Sequence, residues 1–249
     1  MTRSISLALS GLLAAAGLAQ ATNFTCGDTQ YDSSVYVCYD NKFACPIIAG
    51  EGLSYCSGAC YSRFMYTCTD NAVKPLKPLA AGTPFSLYVS NPAVMSLDGM
   101  TVGACGQQWN AGNKTCSYCP KGASCPSSPS TVMLAPSGSG PVAMDASAPG
   151  GQSVYIDSTG AVGYTQAHSA SAPANSTSSG LVVYEHGGLV DLNSAGYGWA
   201  ACPSQVDGAY GYTIYSVNKE NGEKLSKCTP VNLRAKALPS GTVGAWQYS

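Results

Sequence analysis

Tyrosine and cysteine carry most of the chemistry this sequence offers, and between Cys26 and Asn71 they recur at a fixed spacing. A shift of thirty residues lays Cys26 on Cys56, Tyr31 on Tyr61, Tyr36 on Tyr66 and Cys38 on Cys68, and carries Asp40-Asn41 onto Asp70-Asn71. A phenol ring presents a flat apolar face with a polar tip. Such faces suit the C–H side of a sugar ring, and planar amides or carboxylates beside them suit its hydroxyls. The candidate sugar contacts are Tyr31, Tyr36, Tyr39, Phe43, Tyr55, Tyr61 and Tyr66. Tyr36 and Tyr66, each two residues before a half-cystine, are equally readable as the core of a small fold. Tyr39, Phe43 and Tyr55 have no counterpart in the repeat and are freer to face solvent. Asp40-Asn41 and Asp70-Asn71 suit turns at least as well as sugar contact.

The twelve cysteines are an even set, which in an exported chain points to disulfides. Six of them fall in the repeated stretch, and six cysteines allow 15 connectivities. If each half closes its own matched pair, the bonds are Cys26–Cys38 and Cys56–Cys68, with Cys45–Cys60 joining the halves. In the remainder the expected pairs are Cys105–Cys116, Cys119–Cys125 and Cys202–Cys228. The alternative is zinc, since Cys105, Cys116, Cys119 and Cys125 could supply four thiolates. Export and the lack of a nearby histidine favour disulfides, and no metal or other cofactor is expected.

Signs of catalysis are sparse. Glycosidases use two carboxylates across a cleft, yet Glu occurs only at 51, 185, 220 and 223, and Asp145, Asp157 and Asp191 are isolated. The nucleophile elbow Gly-x-Ser-x-Gly does not occur. His168 and His186, the two histidines, sit beside a Ser-rich loop and in an expected turn. No catalytic residue is assigned. With 12 basic and 13 acidic residues and no basic run, neither nucleic acid nor an anionic membrane is an expected partner.

Residues 1–21 have the form of a secretory leader: Arg3, an apolar run over 5–18, and Ala19-Gln20-Ala21 for cleavage. Residues 22–73 form a disulfide-rich module too small to be held by a core alone. Residues 74–83, with Pro75 and Pro78, are expected to be a short stiff spacer. Residues 84–249 alternate short strand patterns with turns: Phe85–Val89, Thr131–Leu134, Pro141–Met144, Val154–Thr165 as a hairpin, Leu181–Leu192 as another, Tyr212–Val217, Val231–Lys236 and Val243–Tyr248. The fold class is therefore mainly β, a small disulfide-rich module followed by an all-β sandwich or barrel, with a β-trefoil as the alternative. Asn23, Asn113 and Asn175 begin Asn-x-Ser/Thr acceptors for N-glycosylation, and 169–179 is expected to be an exposed Ser/Thr-rich loop.

The pattern Cys26-Gly27, Tyr31-x4-Tyr36-x-Cys38, Asp40-Asn41-x3-Cys45-Pro46, Cys56-x3-Cys60-Tyr61-x4-Tyr66-x-Cys68 resembles the fungal carbohydrate-binding modules of family 52, which are appended to endo-1,3-β-glucanases. The resemblance implies binding to β-1,3-glucan or a related wall polysaccharide. The second part is similar to secreted fungal cell-wall proteins of the phialide and IgE-binding type. That likeness rests on Tyr118-Cys119-Pro120, Cys125-Pro126, the segments 149–157 and 165–170, Ala201-Cys202-Pro203 and Ala245-Trp246-Gln247-Tyr248. It implies a wall-associated protein without a transferable catalytic role. The expectation is a secreted, non-catalytic fungal wall protein that binds cell-wall polysaccharide, most simply β-1,3-glucan. The alternatives are a glucan-directed hydrolase or accessory enzyme, and an effector or allergen-like protein with a host partner.

Overall fold

A computed structural model describes residues 23–194, 198–206 and 208–249. The expected leader at 1–21 and the side chain of Asn23 lie outside the described residues. Among them the only helical element is the 3-10 turn Leu192–Ser194, and everything else that is regular is strand.

The repeat folds as two copies of a pair of hairpins. Asn23–Cys26 pairs with Thr29–Asp32 and is followed by Tyr36–Tyr39 against Phe43–Ile48. Thirty residues on, Ser54–Cys56 pairs with Ala59–Tyr61, followed by Tyr66–Thr69 against Ala72–Pro75. The repeated Asp-Asn pairs are the hairpin turns. Asp40, Asn41, Asp70 and Asn71 all hold positive φ, between 51° and 58°, a conformation that Asn and Asp tolerate better than most residues. Cys26–Cys38 and Cys56–Cys68 each tie the two hairpins of one half, and Cys45–Cys60 ties the halves together. The apolar side chains buried in the module are those of Cys26, Cys45, Cys56 and Phe64. Disulfides, at roughly 2–4 kcal/mol each, stand in for the missing core.

Residues 84–249 form a barrel. The strands Pro84–Ser90, Met133–Leu134, Ala143–Met144, Gln152–Ile156, Val162–Tyr164, Gln108–Ala111, Ala209–Ser216, Trp199–Val206 and Thr229–Ala237 pair in that spatial order. Pairing of Pro84–Ser90 with Thr229–Ala237, from Phe85↔Ala237 to Ser90↔Asn232, closes the circuit. Of the expected sheet forms, the pairing is that of a barrel. Phe85, Leu87 and Val89 alternate inward along the first strand, and Val231 and Leu233 do so along the last. They meet Trp109, Met133, Tyr164, Leu181 and Ile214 in one apolar cluster. The hairpin Leu181–Val183/Gly188–Asp191 pairs with Thr229–Ala237 through Leu233 and Arg234, on the edge opposite Pro84–Ser90. The cysteines that might have ligated zinc are joined as Cys105–Cys116 and Cys119–Cys125, and Cys202 is joined to Cys228.

The motifs shared with phialide-type wall proteins gather around the carboxy-terminal tail. Gln152 Nε2 donates to the carbonyls of Thr165 and Tyr248 at 2.9 and 3.0 Å, and its Oε1 accepts the Tyr248 N–H at 2.7 Å. Tyr118 pairs with Gln247, and the Ala148 N–H donates to the Trp246 carbonyl. The Tyr248 hydroxyl accepts the Val132 N–H at 3.0 Å and donates toward the Ser130 carbonyl at 3.0 Å. These motifs therefore build the barrel and bury its tail. Burial pushes the pKa of both Tyr164 and Tyr248 upward. A phenol whose folded pKa exceeds its unfolded value of about 10 contributes stability that is complete below pH 10 and lost as pH rises toward the folded value. The urea midpoint should accordingly fall steadily above about pH 10, with a shallower fall in Tyr248→Phe. A midpoint flat across this range would contradict that burial.

Residues 74–83 are not a free spacer. The Leu76 N–H donates to the Met65 carbonyl, Leu79 to Val183 and Gly82 to Ala135, while the Lys77 carbonyl accepts from Glu185. Pro78 bridges Tyr184. The prolines remove donors only at 75 and 78. The intervening N–H groups remain available, so the segment binds as an irregular edge instead of standing free.

The acceptor asparagines differ in setting. Asn175 is exposed, in a left-handed turn at φ 61°. The amide of Asn113 is buried without a hydrogen-bond partner and presses on Gly211, where a Cβ would stand 2.6 Å from Nδ2. Its sequon threonine, Thr115, is tied to Thr131 at 2.7 Å between hydroxyls. A glycan on Asn113 does not fit the folded barrel. Enzymatic deglycosylation in 18O-water should convert Asn175 to labelled Asp and leave Asn113 unlabelled. Label at Asn113 in folded, secreted protein would refute this difference.

Candidate functional site

Three of the expected sugar contacts come together on one face of the module. Tyr39 and Phe43 sit opposite each other across the hairpin of the first half. Tyr55, from the first hairpin of the second half, lies between them. Its ring centroid is 4.7 Å from that of Phe43 and 6.1 Å from that of Tyr39, with a 23° interplanar angle to Tyr39. The Tyr39 hydroxyl donates to the Leu53 carbonyl at 3.0 Å, which fixes the ring. Phe43 is 40% exposed, and Tyr39 and Tyr55 are half-buried. The result is a continuous aromatic surface held by two hairpins, with Cys45–Cys60 bridging them. A surface of this kind offers apolar area to a pyranose face at little conformational cost, because the rings are already packed on one another.

The other four candidates are dispersed. Tyr36 and Tyr66 are 41% and 37% exposed, so the duplicated tyrosines are not the module's core. Tyr66 lies toward the barrel, where burial, and then the Tyr66 hydroxyl, raise the pKa of Tyr184. Tyr31 is half-buried and pairs with Phe24 at 6.1 Å. Tyr61 is half-buried opposite Ser54. Phe24, not among the sequence candidates, falls outside the repeat register, so the duplication gave no signal for it.

A second feature escaped the sequence reading. Glu51, 7% exposed, accepts from Arg63 Nη2 at 2.6 Å and Ser90 Oγ at 3.0 Å, with Arg234 Nη2 at 3.5 Å. Arg63 belongs to the module, and Ser90 and Arg234 belong to the barrel. The Arg234 guanidinium also lies 5.2 Å over the Phe64 ring, and the Phe64 carbonyl accepts the Gly188 N–H at 3.2 Å. A Cβ on Gly188 would stand 2.6 Å from the Phe64 ring, so the close approach requires glycine. The module is thereby docked on the barrel and not merely tethered to it. No local motif announces a carboxylate whose partners lie up to 183 residues away.

Asp157, Asp191 and Asp145 are also engaged. Asp157 Oδ1 accepts from Thr159 and Ala161 in a hairpin turn. Asp191 accepts from Ser216 Oγ at 2.6 Å and from the Asn193 N–H. Asp145 accepts from the Gly244 N–H at 3.1 Å, and burial raises its pKa. His168 and His186 are exposed, both at positive φ. His168 lies 6.2 Å from Trp246, and His186 lies 3.9 Å from Glu185.

Comparison with known proteins gives two family matches. Residues 25–73 match the family model described as carbohydrate binding. Residues 88–249 match the model of PhiA-like secreted proteins. A protein of Arthroderma benhamiae named "Uncharacterized secreted protein" is 29% identical over 187 residues, covering 70% of this chain and 91% of its own length. The primary septum glucan endo-1,3-beta-D-glucosidase of Schizosaccharomyces pombe is 45% identical over 58 residues, which is 23% of this chain but 6% of that enzyme. No solved structure matches the chain.

Proposed function

Because the chain belongs to the PhiA-like secreted protein family and carries a carbohydrate-binding module ahead of that domain, we propose that this secreted protein binds β-1,3-glucan of the fungal wall without cleaving it. The continuous surface of Tyr39, Tyr55 and Phe43 carries the reading. Its rings pack on one another at interplanar angles of 23° and 32°, and a neutral polysaccharide needs no charged partner. The choice of β-1,3-glucan is supported by the similarity to a glucan endo-1,3-beta-D-glucosidase. Absence of catalysis is supported by Glu51, Asp145, Asp157 and Asp191, whose oxygens hold turns, the tail and the docking of the module on the barrel.

Depletion of the purified protein by insoluble β-1,3-glucan, chitin and cellulose tests the proposal. Retention on the glucan above the other two is expected, and lack of retention on it defeats the proposal. One arrangement favours a hydrolase instead: Glu51 and Asp191 both line a cleft of about 230 Å³ between module and barrel. Release of reducing ends from soluble β-1,3-glucan, lost in Asp191→Asn, would establish that second reading.

A further inference from the structure

The barrel carries an aromatic surface of its own, on the long hairpin Trp199–Val206/Ala209–Ser216. Tyr210 lies opposite Gln205, and Tyr212 lies opposite Pro203. Residues directly opposite in an antiparallel pair share a face, as do residues two apart along a strand. Tyr210, Tyr212, Gln205 and Pro203 therefore stand together on one side of the ribbon. That side forms one wall of an open trough of about 550 Å³, completed by Met100 and Gly112. Tyr210 is 83% exposed. The base of the ribbon is anchored, since Asn110 and Ala111 pair with Thr213 and Tyr212, and Cys202 is bonded to Cys228.

The trough's chemistry restricts its occupant. None of the described residues lining it is ionised, so nothing among them would repay the desolvation of a phosphate, a carboxylate or an ammonium group. Two phenol rings and a thioether supply flat or adaptable apolar area. The Gln205 amide beside Tyr210 supplies a donor and an acceptor in one plane. Stacking area next to a planar amide, in an open groove whose described lining is uncharged, is the chemistry that recognises a neutral sugar chain. We propose that this trough is a second carbohydrate-binding subsite, for the same neutral glucan that the module takes. The proposal rests on the glucan-binding reading above and extends it to the barrel. Docking of the module on the barrel fixes the separation of the two surfaces, so a polymer long enough to reach both is held with avidity set by geometry and not by a flexible tether.

Binding isotherms of the full chain on insoluble β-1,3-glucan test it, with Tyr210→Ala, Tyr210→Trp, Tyr55→Ala and the Tyr55→Ala/Tyr210→Ala double variant. Tyr210→Ala should weaken binding by about fivefold, and Tyr210→Trp should restore it. The residual binding of Tyr55→Ala should vanish in the double variant. An exposed ring contributes little to folding, so the unfolding midpoint should not move with Tyr210→Ala. Isotherms of Tyr210→Ala that superimpose on their parents in both backgrounds would overturn the subsite. If Tyr55→Ala binds as the parent does while Tyr210→Ala does not, the module face fails and the barrel subsite stands. A parent protein that binds no glucan defeats both.

Discussion

Tyr55→Ala should lose binding to insoluble β-1,3-glucan by about thirtyfold, the largest loss of any single substitution in the module. Tyr55 is the middle ring of three, 4.7 Å from Phe43 and 6.1 Å from Tyr39. Its removal takes away its own stacking area and also the ring against which its two neighbours pack. Loss of a central, well-backed aromatic costs about 2 kcal/mol or more at a binding surface, which is the thirtyfold quoted. Tyr39→Ala and Phe43→Ala, at the ends of the row, should each cost less. Tyr39→Phe keeps the ring but forfeits the bond to the Leu53 carbonyl, and should cost about threefold. Tyr36→Ala and Tyr66→Ala serve as the counter-test, because those rings are exposed but stand outside the row. Three disulfides hold the module, so the variants should keep the parent's unfolding midpoint. A Tyr55→Ala protein that binds as tightly as its parent, or a Tyr36→Ala protein that loses more than Tyr55→Ala, would remove the aromatic row from the function.

Local pattern carried much of this architecture into view, and distant contact decided the rest. The thirty-residue repeat is a geometric statement: equal spacing of turn pairs and half-cystines appears in the fold as two equal pairs of hairpins. The alternation in Phe85–Val89 and the Asp157–Gly160 turn were legible for the same reason, since period and turn chemistry are local. The strand Trp199–Val206 was not among those expected. Ala200-Ala201-Cys202-Pro203 has none of the β-branched residues that mark strands, and its conformation is imposed by pairing with Ala209–Ser216 and Thr229–Ala237. Gln108–Ala111 is a similar case: Trp109 and Asn110 are fully buried there, with Asn110 Oδ1 accepting from Thr213 across the sheet. Conversely, Val243–Tyr248 has strand composition, yet only Gln247–Tyr248 is a strand, with Ala245 adding an isolated parallel bridge to Ala146, because Tyr248 is drawn into the barrel by Gln152. The same distinction holds for function. Tyrosines could be nominated from spacing, but which three share a surface depended on how the Cys45–Cys60 bond sets one half against the other.

The docking of module on barrel rests on a buried carboxylate, and removal of its cations should cost more than removal of the carboxylate itself. In Arg63→Ala/Arg234→Ala, Glu51 keeps its burial and its bond from Ser90 but loses both guanidinium partners. A buried charge left without its partner destabilises strongly, and because both arginines are about half exposed the expected loss is set at the low end, about 3 kcal/mol. Arg234→Ala also gives up the contact over Phe64 and should account for more of that loss than its 3.5 Å distance to Glu51 suggests. Glu51→Gln removes the charge while keeping the shape. Its two arginines, half exposed, recover hydration, so the loss should stay near 1 kcal/mol. Urea unfolding of the three variants orders these costs, and limited proteolysis at 74–83 reports whether the module has lifted from the barrel. Cleavage should quicken in the double-arginine variant first, because Leu76 is bonded to the module at Met65 while Leu79 and Gly82 are bonded to the barrel at Val183 and Ala135, so a module that lifts away pulls on the segment between them. If Glu51→Gln proves as damaging as the double variant, the ionic clamp is not what holds the parts in register. If no variant alters unfolding or cleavage, the module is tethered and the fixed separation of the two aromatic surfaces goes with it.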